Sequence, residues 1–206
     1  YQIWPYAISR AGESIGEPIT FTTSDASTLN EAGVFSSLMG SNLYEYTSLT
    51  LSGPMNGDDL NCLRKMMGQN DDGTTTPGTL ASIDMTEVKI VAGGGPYGSS
   101  RYTEDHIIGQ DLFANCTRLE KVSLPADATT LEKDAFTGCT SLKEIEIPAS
   151  LVSILPSSGC TALERINISG ANANYKSQDG VLLNENGTEI VWFPMGKKGE
   201  YTLPST

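Results

Sequence analysis

Phe113-x-x-Cys116-Thr117-x-Leu119-x-x-Val122-x-Leu124-Pro125 is followed by Phe136-x-x-Cys139-Thr140-x-Leu142-x-x-Ile145-x-Ile147-Pro148. A third copy, Cys160-Thr161-x-Leu163-x-x-Ile166-x-Ile168, lacks the Phe and the Pro. The cysteines are 23 and then 21 residues apart. A fixed period in the twenties marks a stacked repeat, in which each unit buries its apolar face against the next. Alternate residues of each Leu-x-x-Ile-x-Ile phrase enter the core of a short strand.

That phrase at that period is the pattern of a leucine-rich repeat solenoid, and it extends backward. Leu80-x-x-Ile83-x-Met85 fits it, as does Tyr46-x-x-Leu49-x-Leu51. At least five rungs are therefore expected. The early units are longer, with 34 residues from Leu49 to Ile83 and 39 from there to Val122. The extra length must leave the repeat as helices or loops.

One insertion is expected to be a helix over residues 57–67. Asn56 or Gly57 leads into it, Asp58 and Asp59 occupy its first turn, and Arg64 and Lys65 its last, which suits the helix dipole. Gly68 provides the stop. Leu60, Leu63 and Met67 share a face that would cover the core. Upstream, Thr28-x-x-Glu31 has the form of a capping box before Leu29, Ala32, Phe35 and Met39. It predicts a capping helix over 28–39, preceded by a strand over 19–23. Residues 1–18 are weakly patterned.

A second insertion, residues 93–102, contains Gly93-Gly94-Gly95-Pro96-Tyr97-Gly98 and is expected to be an irregular loop. It lacks the Gly-Lys-Ser ending of a phosphate loop. Near the C-terminus, residues 180–194 read as a hairpin turning at Asn186-Gly187. Tyr201-x-Leu203-Pro204 then restarts the repeat, as a last rung or as part of a longer array. The expected organisation is an N-terminal cap region, 1–44, and a repeat domain, 45–206. The fold class is α/β: a curved, right-handed leucine-rich repeat solenoid with an N-terminal helical cap and a C-terminal β-hairpin insertion.

The chain has 206 residues, a formal net charge of −12, and 18% charged residues. Binding nucleic acid or an anionic membrane surface needs clustered Lys and Arg, so neither is an expected partner. No apolar run approaches the roughly 20 residues of a membrane-spanning helix, and no signal peptide is expected within these residues. The first residue is Tyr1 and not Met, so the natural N-terminus is expected to have been processed or trimmed away. Cys116, Cys139 and Cys160 share one repeat position, while Cys62 lies elsewhere. A row of three suits reduced, buried thiols better than disulfides or a metal.

Asp134-Ala135-Phe136-Thr137-Gly138-Cys139-Thr140-Ser141-Leu142, with Ile145-Glu146-Ile147-Pro148, resembles the BspA-like leucine-rich repeats of bacterial surface and secreted proteins. Asp179-Gly180-Val181-Leu182, Phe193-Pro194 and Tyr201-Thr202-Leu203-Pro204 resemble a hairpin insertion of that family. The resemblance spans about residues 45–206. The third copy departs from it: Leu155-Pro156-Ser157-Ser158-Gly159 is two residues short, so a pinched rung is expected there. The resemblance implies an extracellular or cell-surface protein of a host-associated bacterium. Its implied role is non-catalytic, adhesin-like binding to an extracellular protein or glycan. The alternative is a structural spacer in a longer surface protein.

The residues themselves offer little chemistry. His106, beside Glu104 and Asp105, is the single histidine on which a triad or dyad would depend. One His and no Cys-x-x-Cys do not make a common zinc site. Asn70-Asp71-Asp72-Gly73 and Asn184-x-Asn186-Gly187 are oxygen-rich but lack the EF-hand spacing, and read as turns. No enzyme activity and no cofactor are expected. The strand faces remain. Thr50, Asp84, Ser123, Glu146 and Asn167 should form an outward column, flanked by an alternating charge ladder of Lys121, Glu144 and Arg165. Such a ladder also serves solubility alone. Exposed aromatic residues are sought at Trp4, Tyr6, Tyr97, Tyr102 and Trp192. The candidate ligand-binding residues are Tyr97, Arg101, Tyr102, Lys121, Ser123, Glu144, Glu146, Arg165 and Asn167. The loop of Tyr97–Tyr102 is expected to set specificity, and replacing it is expected to leave melting unchanged.

Overall fold

Six parallel strands lie side by side, and five of them carry the repeat phrases. The computed structural model describes residues 24–98 and 100–203, with the short segments 2–3, 6–9, 12–15 and 19–20, and side chains from residue 27 onward. The four segments are strands β1 (Gln2–Ile3), β2 (Tyr6–Ser9), β3 (Gly12–Ile15) and β4 (Ile19–Thr20), paired antiparallel as β1 with β4 and β2 with β3. Then come β5 (Ser24–Thr28), helix α1 (Phe35–Met39), β6 (Ser48–Met55), helix α2 (Gly57–Met66) and β7 (Ser82–Ile90). The second insertion supplies β8 (Gly93–Tyr97) and β9 (Arg101–Thr103), and the repeats proper β10 (Ile107–Ile108), β11 (Lys121–Ser123), β12 (Thr130–Leu131), β13 (Glu144–Pro148), β14 (Ser153–Ile154) and β15 (Arg165–Ser169). The chain's last strands are β16 (Tyr175–Gln178), β17 (Val181–Asn184) and β18 (Ile190–Trp192).

The main sheet runs in the order β15-β13-β11-β7-β6-β5. A smaller parallel sheet, β10-β12-β14, forms on successive rungs beside it. Val122 stands opposite Ile83 and Ile145, and Ile145 opposite Ile166. The Ile and Leu positions of the phrase thus form buried rows, with Leu49, Leu51, Ile83, Met85, Val122, Leu124, Ile145, Ile147 and Ile166 all in the core. Alternation in the sequence becomes one dry face and one wet face because side chains alternate across a strand. The Phe position adds a stack: the rings of Phe113 and Phe136 lie 4.9 Å apart at 7°. The third copy has no Phe, and the stack stops there.

The shortened copy is accommodated by a side chain. In the regular rung, the Phe113 and Asn115 N–H groups donate to the carbonyls of Ala135 and Thr137. One rung on, Phe136 N–H donates instead to Ser157 Oγ at 2.9 Å, and Gly138 N–H to the Ser158 carbonyl. The buried Ser157 hydroxyl replaces a backbone acceptor that two missing residues removed.

The thiol row also links rungs. Cys139 Sγ donates to the Phe113 carbonyl at 2.9 Å, and Cys160 Sγ to the Phe136 carbonyl at 3.2 Å. All four cysteines are free and buried. Burial pushes the thiols of Cys62, Cys116 and Cys160 up to about 11, and that of Cys139 well above its ordinary value. Thiolate is the reactive form, so native labelling at neutral pH is expected to be negligible, with all four thiols reacting after unfolding. The pH dependence follows in sign. Above the ordinary thiol value of 9.0, the unfolded chain loses thiol protons that the folded chain keeps. Stability is therefore full below pH 9 and falls as pH rises toward 11, by about 1–3 kcal/mol per thiol. Thermal melts of wild type and of Cys116→Ala across that window check this. An unchanged pH slope in the variant would contradict it.

Several expectations are corrected. The helix expected over 28–39 is confined to α1, and Val34 at its N-cap makes no side-chain capping bond. Residues before it form β5, which pairs parallel with β6 and makes a sixth rung. Thr28 is drawn into that sheet, where its hydroxyl accepts from Ser52 Oγ at 2.9 Å, so it is not free to cap. The capping box instead sits at α2, between Asn56 and Asp59. The strand expected over 19–23 is observed as β4, paired with β1, and residues 21–23 lie outside the described residues. The irregular loop at 93–102 is an antiparallel hairpin of β8 and β9. The C-terminal hairpin, β17 with β18, gains a third strand, β16. None of the helices among the described residues is long and apolar enough to cross a membrane.

Candidate functional site: the outward column of the parallel sheet

The register of the main sheet aligns the polar residues as it aligns the core. Thr50 pairs with Asp84, Asp84 with Ser123, Ser123 with Glu146, and Glu146 with Asn167. Each of the five is half-buried. Between Thr50 and Ser52 the β6–β7 register shifts, and Asp84 turns inward on its own strand. Its Oδ1 accepts from Thr86 N–H at 2.9 Å and from Thr86 Oγ1 at 2.6 Å. Among the described residues, the side chains of Thr50, Ser123 and Glu146 have no hydrogen-bond or ion-pair partner.

The flanking ladder forms in part. Lys121 and Arg165 face Glu144 from the two neighbouring strands. Lys121 Nζ reaches Glu144 Oε1 at 3.3 Å. Arg165 does not complete the ladder: its Nη2 lies 3.7 Å from Glu164 Oε2, its chain neighbour. Glu144 Oε1 accepts instead from Asn167 Nδ2 at 3.0 Å. The amide of Asn167 is shorter and neutral, so it reaches the carboxylate without confining a long charged side chain. Exposed pairs of this kind contribute about 0–1 kcal/mol, and their value here is in fixing side-chain positions.

The glycine-rich segment has a structural reason that its composition hides. β8 lies against the N-terminus of α2. Gly95 N–H donates to Asp58 Oδ1 at 3.0 Å. A Cβ on Gly57 would lie 1.9 Å from the Gly95 carbonyl oxygen, and one on Gly94 would lie 2.7 Å from Asn56. The backbones approach too closely for any side chain. Beyond them, Tyr97 is 2% exposed and its hydroxyl packs against Gly109. Burial, with the Glu132 carboxylate nearby, pushes its phenol up to about 12.

Tyr97 is therefore not an exposed contact residue, because its ring fills the space between the hairpin and the next rung. Trp192, 4% exposed, is likewise in the core beside Leu182. Tyr102 is the hairpin's open aromatic, at 65% exposure. Arg101 is exposed beside it, with Nε 3.6 Å from Asp111 Oδ2. Trp4 and the side chain of Tyr6 lie outside the described residues. Since the hairpin buries Tyr97 and docks on α2, replacing it would lower stability, contrary to the expectation from sequence.

His106 is exposed, and its Nδ1 lies 3.2 Å from Asp127 Oδ2. Its backbone has φ 62°, in the left-handed region, and bridges Ile90 to Thr129 by hydrogen bonds. The position is that of a turn residue between β7 and the small sheet. Asn70–Gly73 is a turn whose Asp72 accepts from Thr74, and that hydroxyl bond holds the carboxyl below its ordinary value. No group of three or more His, Cys, Asp or Glu suited to a metal occurs among the described residues.

Comparison with known proteins places the repeats. Residues 105–188 match the BspA type leucine rich repeat region, in 6 copies. No curated protein matches significantly. Among solved structures, the chain is similar to a leucine-rich repeat protein from Eubacterium ventriosum, with 19% identity, a TM-score of 0.47, and coverage of 77% of this chain and 41% of that one. It is similar to a leucine rich cell surface protein from Faecalibacterium prausnitzii, with 19% identity, a TM-score of 0.33, and coverage of 82% and 39%. It is also similar to the pneumococcal vaccine antigen PcpA, with 16% identity, a TM-score of 0.35, and coverage of 77% and 40%. The chain thus spans about two fifths of the length of each. The segment that carries the Cys-Thr-x-Leu phrases is thus similar to the BspA type leucine rich repeats.

Proposed function

We propose that the outward face of the parallel sheet is a non-catalytic binding surface for an extracellular protein or glycan, at or outside a bacterial cell. The observation that carries this reading is the column Thr50, Asp84, Ser123, Glu146 and Asn167, with three of its side chains unpartnered among the described residues. Polar groups held by a packed scaffold lose little conformational entropy on binding. The reading takes the fold as a curved, right-handed solenoid with an N-terminal helical cap and a C-terminal hairpin insertion. Tyr102, with Arg101, extends the contact surface from the β8–β9 hairpin. Placement outside the cell rests on the BspA type region and what that resemblance implies.

The test is a binding screen of the purified chain against matrix proteins and glycans, followed by Ser123→Ala with Glu146→Ala. The double variant is expected to weaken the best ligand at least about tenfold, since charge-assisted hydrogen bonds contribute about 1.5–3 kcal/mol each. Its melting temperature should stay within a few degrees, as neither side chain bonds within the fold. Unchanged affinity would remove the column from the site. Absence of binding to every probe would favour the spacer role.

A further inference from the structure

At the C-terminal edge of the main sheet, an open cleft of ≈ 480 Å³ lies between β15 and the segment after β18. Its polar lining includes Glu164, Arg165, Asn167, Asp179, Lys197 and Lys198. Two close approaches build it. A Cβ on Gly180 would lie 2.6 Å from Arg165 Cβ, and one on Gly196 would lie 2.5 Å from the Ala162 carbonyl carbon. Backbone bonds fasten both walls: Ile166 N–H donates to the Gly180 carbonyl at 2.8 Å, and Gly196 N–H to the Leu163 carbonyl at 2.7 Å. Lys197 Nζ donates to the Asp179 carbonyl and ties one wall to the other.

The charge of this cleft departs from that of the chain. The whole chain carries −12, whereas the cleft holds three cations against two carboxylates. Arg165 has one long contact, with Glu164. Lys197 is bonded to a neutral carbonyl. Lys198 is exposed and has no partner among the described residues. Excess cations in an acidic chain attract an anion, and the two carboxylates with the Asn167 carbonyl add acceptors for hydroxyl donors. The lining exposes more polar than apolar surface, which suits a hydroxylated ligand better than the apolar side-chain atoms of an acidic peptide. A sugar bearing a carboxylate offers both hydroxyl donors and an anion.

We infer that this cleft is a subsite for a carboxylate-bearing sugar of a glycan. The inference rests on the binding reading above, since Arg165 and Asn167 belong to both surfaces. Calorimetric titration of the full chain with an oligogalacturonate, a neutral maltooligosaccharide and a polyglutamate peptide tests it. The acidic oligosaccharide is expected to bind at least about tenfold more tightly than the other two. Lys198→Glu should reduce that affinity about tenfold or more with melting unchanged, because Lys198 has no bonding partner among the described residues. Equal binding of the neutral oligosaccharide or the peptide would overturn the assignment, as would no binding of the oligogalacturonate. Either result leaves the sheet-face reading to stand or fall on the Ser123 and Glu146 variants.

Discussion

Arg64→Met is expected to destabilise the chain by about 3–5 kcal/mol, a large share of the margin of an ordinary domain. Arg64 lies in the last turn of α2 but is 4% exposed. Its Nη1 donates to the carbonyls of Asp111 at 2.7 Å and Leu112 at 2.8 Å, and its Nη2 to that of Ala114 at 3.3 Å. The guanidinium thus fastens α2 to the turn that opens the first full repeat. Met fills similar volume but leaves the Leu112 and Ala114 carbonyls without a donor, while that of Asp111 keeps the Ala114 N–H, at about 1–3 kcal/mol for each that stays dry. Arg64→Lys should recover only part of the loss, since an ammonium on a flexible stem lacks the planar fork. Urea unfolding reads both variants. A loss under about 1 kcal/mol for Met would show that water replaces the guanidinium and that α2 is not fastened there.

Asp59→Ala is the second large effect, at about 3–4 kcal/mol, with Asp59→Asn losing about half of that. Asp59 is 1% exposed. Its Oδ2 accepts from Gly33 N–H at 2.6 Å and Asn56 N–H at 2.9 Å, and its Oδ1 from Phe35 N–H at 2.9 Å. One carboxylate therefore caps α2 and holds the start of α1. Asn keeps one oxygen and presents an NH2 group to donors, so it satisfies only part of the set. Hydrogen exchange separates this from a general loss of stability. The amides of Gly33 and Phe35 should lose protection in Asp59→Asn more than those of β13. Uniform loss across the chain would contradict a local tie.

These two side chains show where legibility from sequence stopped. Asp59 and Arg64 were readable as helix-dipole charges because that rule is local. Apart from the Asn56 N–H of the capping box, their partners lie 24 to 50 residues away, and nothing local specifies those. The same distinction separates the two insertions. The α2 insertion was legible because Asn56, Asp58, Asp59 and Gly68 punctuate it. The glycine run was read as a loop because glycine signals freedom, whereas here it signals crowding against Asn56 and Gly57. Thr28-x-x-Glu31 was a false signal: Thr28 pairs with Ser52 in the sheet, so its hydroxyl is held across the strands and not at a helix start.

For the candidate site, the outward column was legible residue by residue, because strand alternation and a fixed period place it without further information. The cleft was not. Arg165 and Asn167 were legible, but Asp179, Lys197 and Lys198 arrive from beyond two turns, and no motif announces that they return to β15.

By itself the sequence determined the repeat, its rungs, the buried thiol row and the polar column, since all depend on periodicity. Only the tertiary structure decided that Tyr97 and Trp192 are core, that Arg165 leaves the ladder, that Ser157 repairs the short rung, and that a cationic cleft closes the sheet's edge. Those outcomes depend on which distant surfaces meet, and a periodic pattern fixes the stacking direction but not what its interruptions fold against.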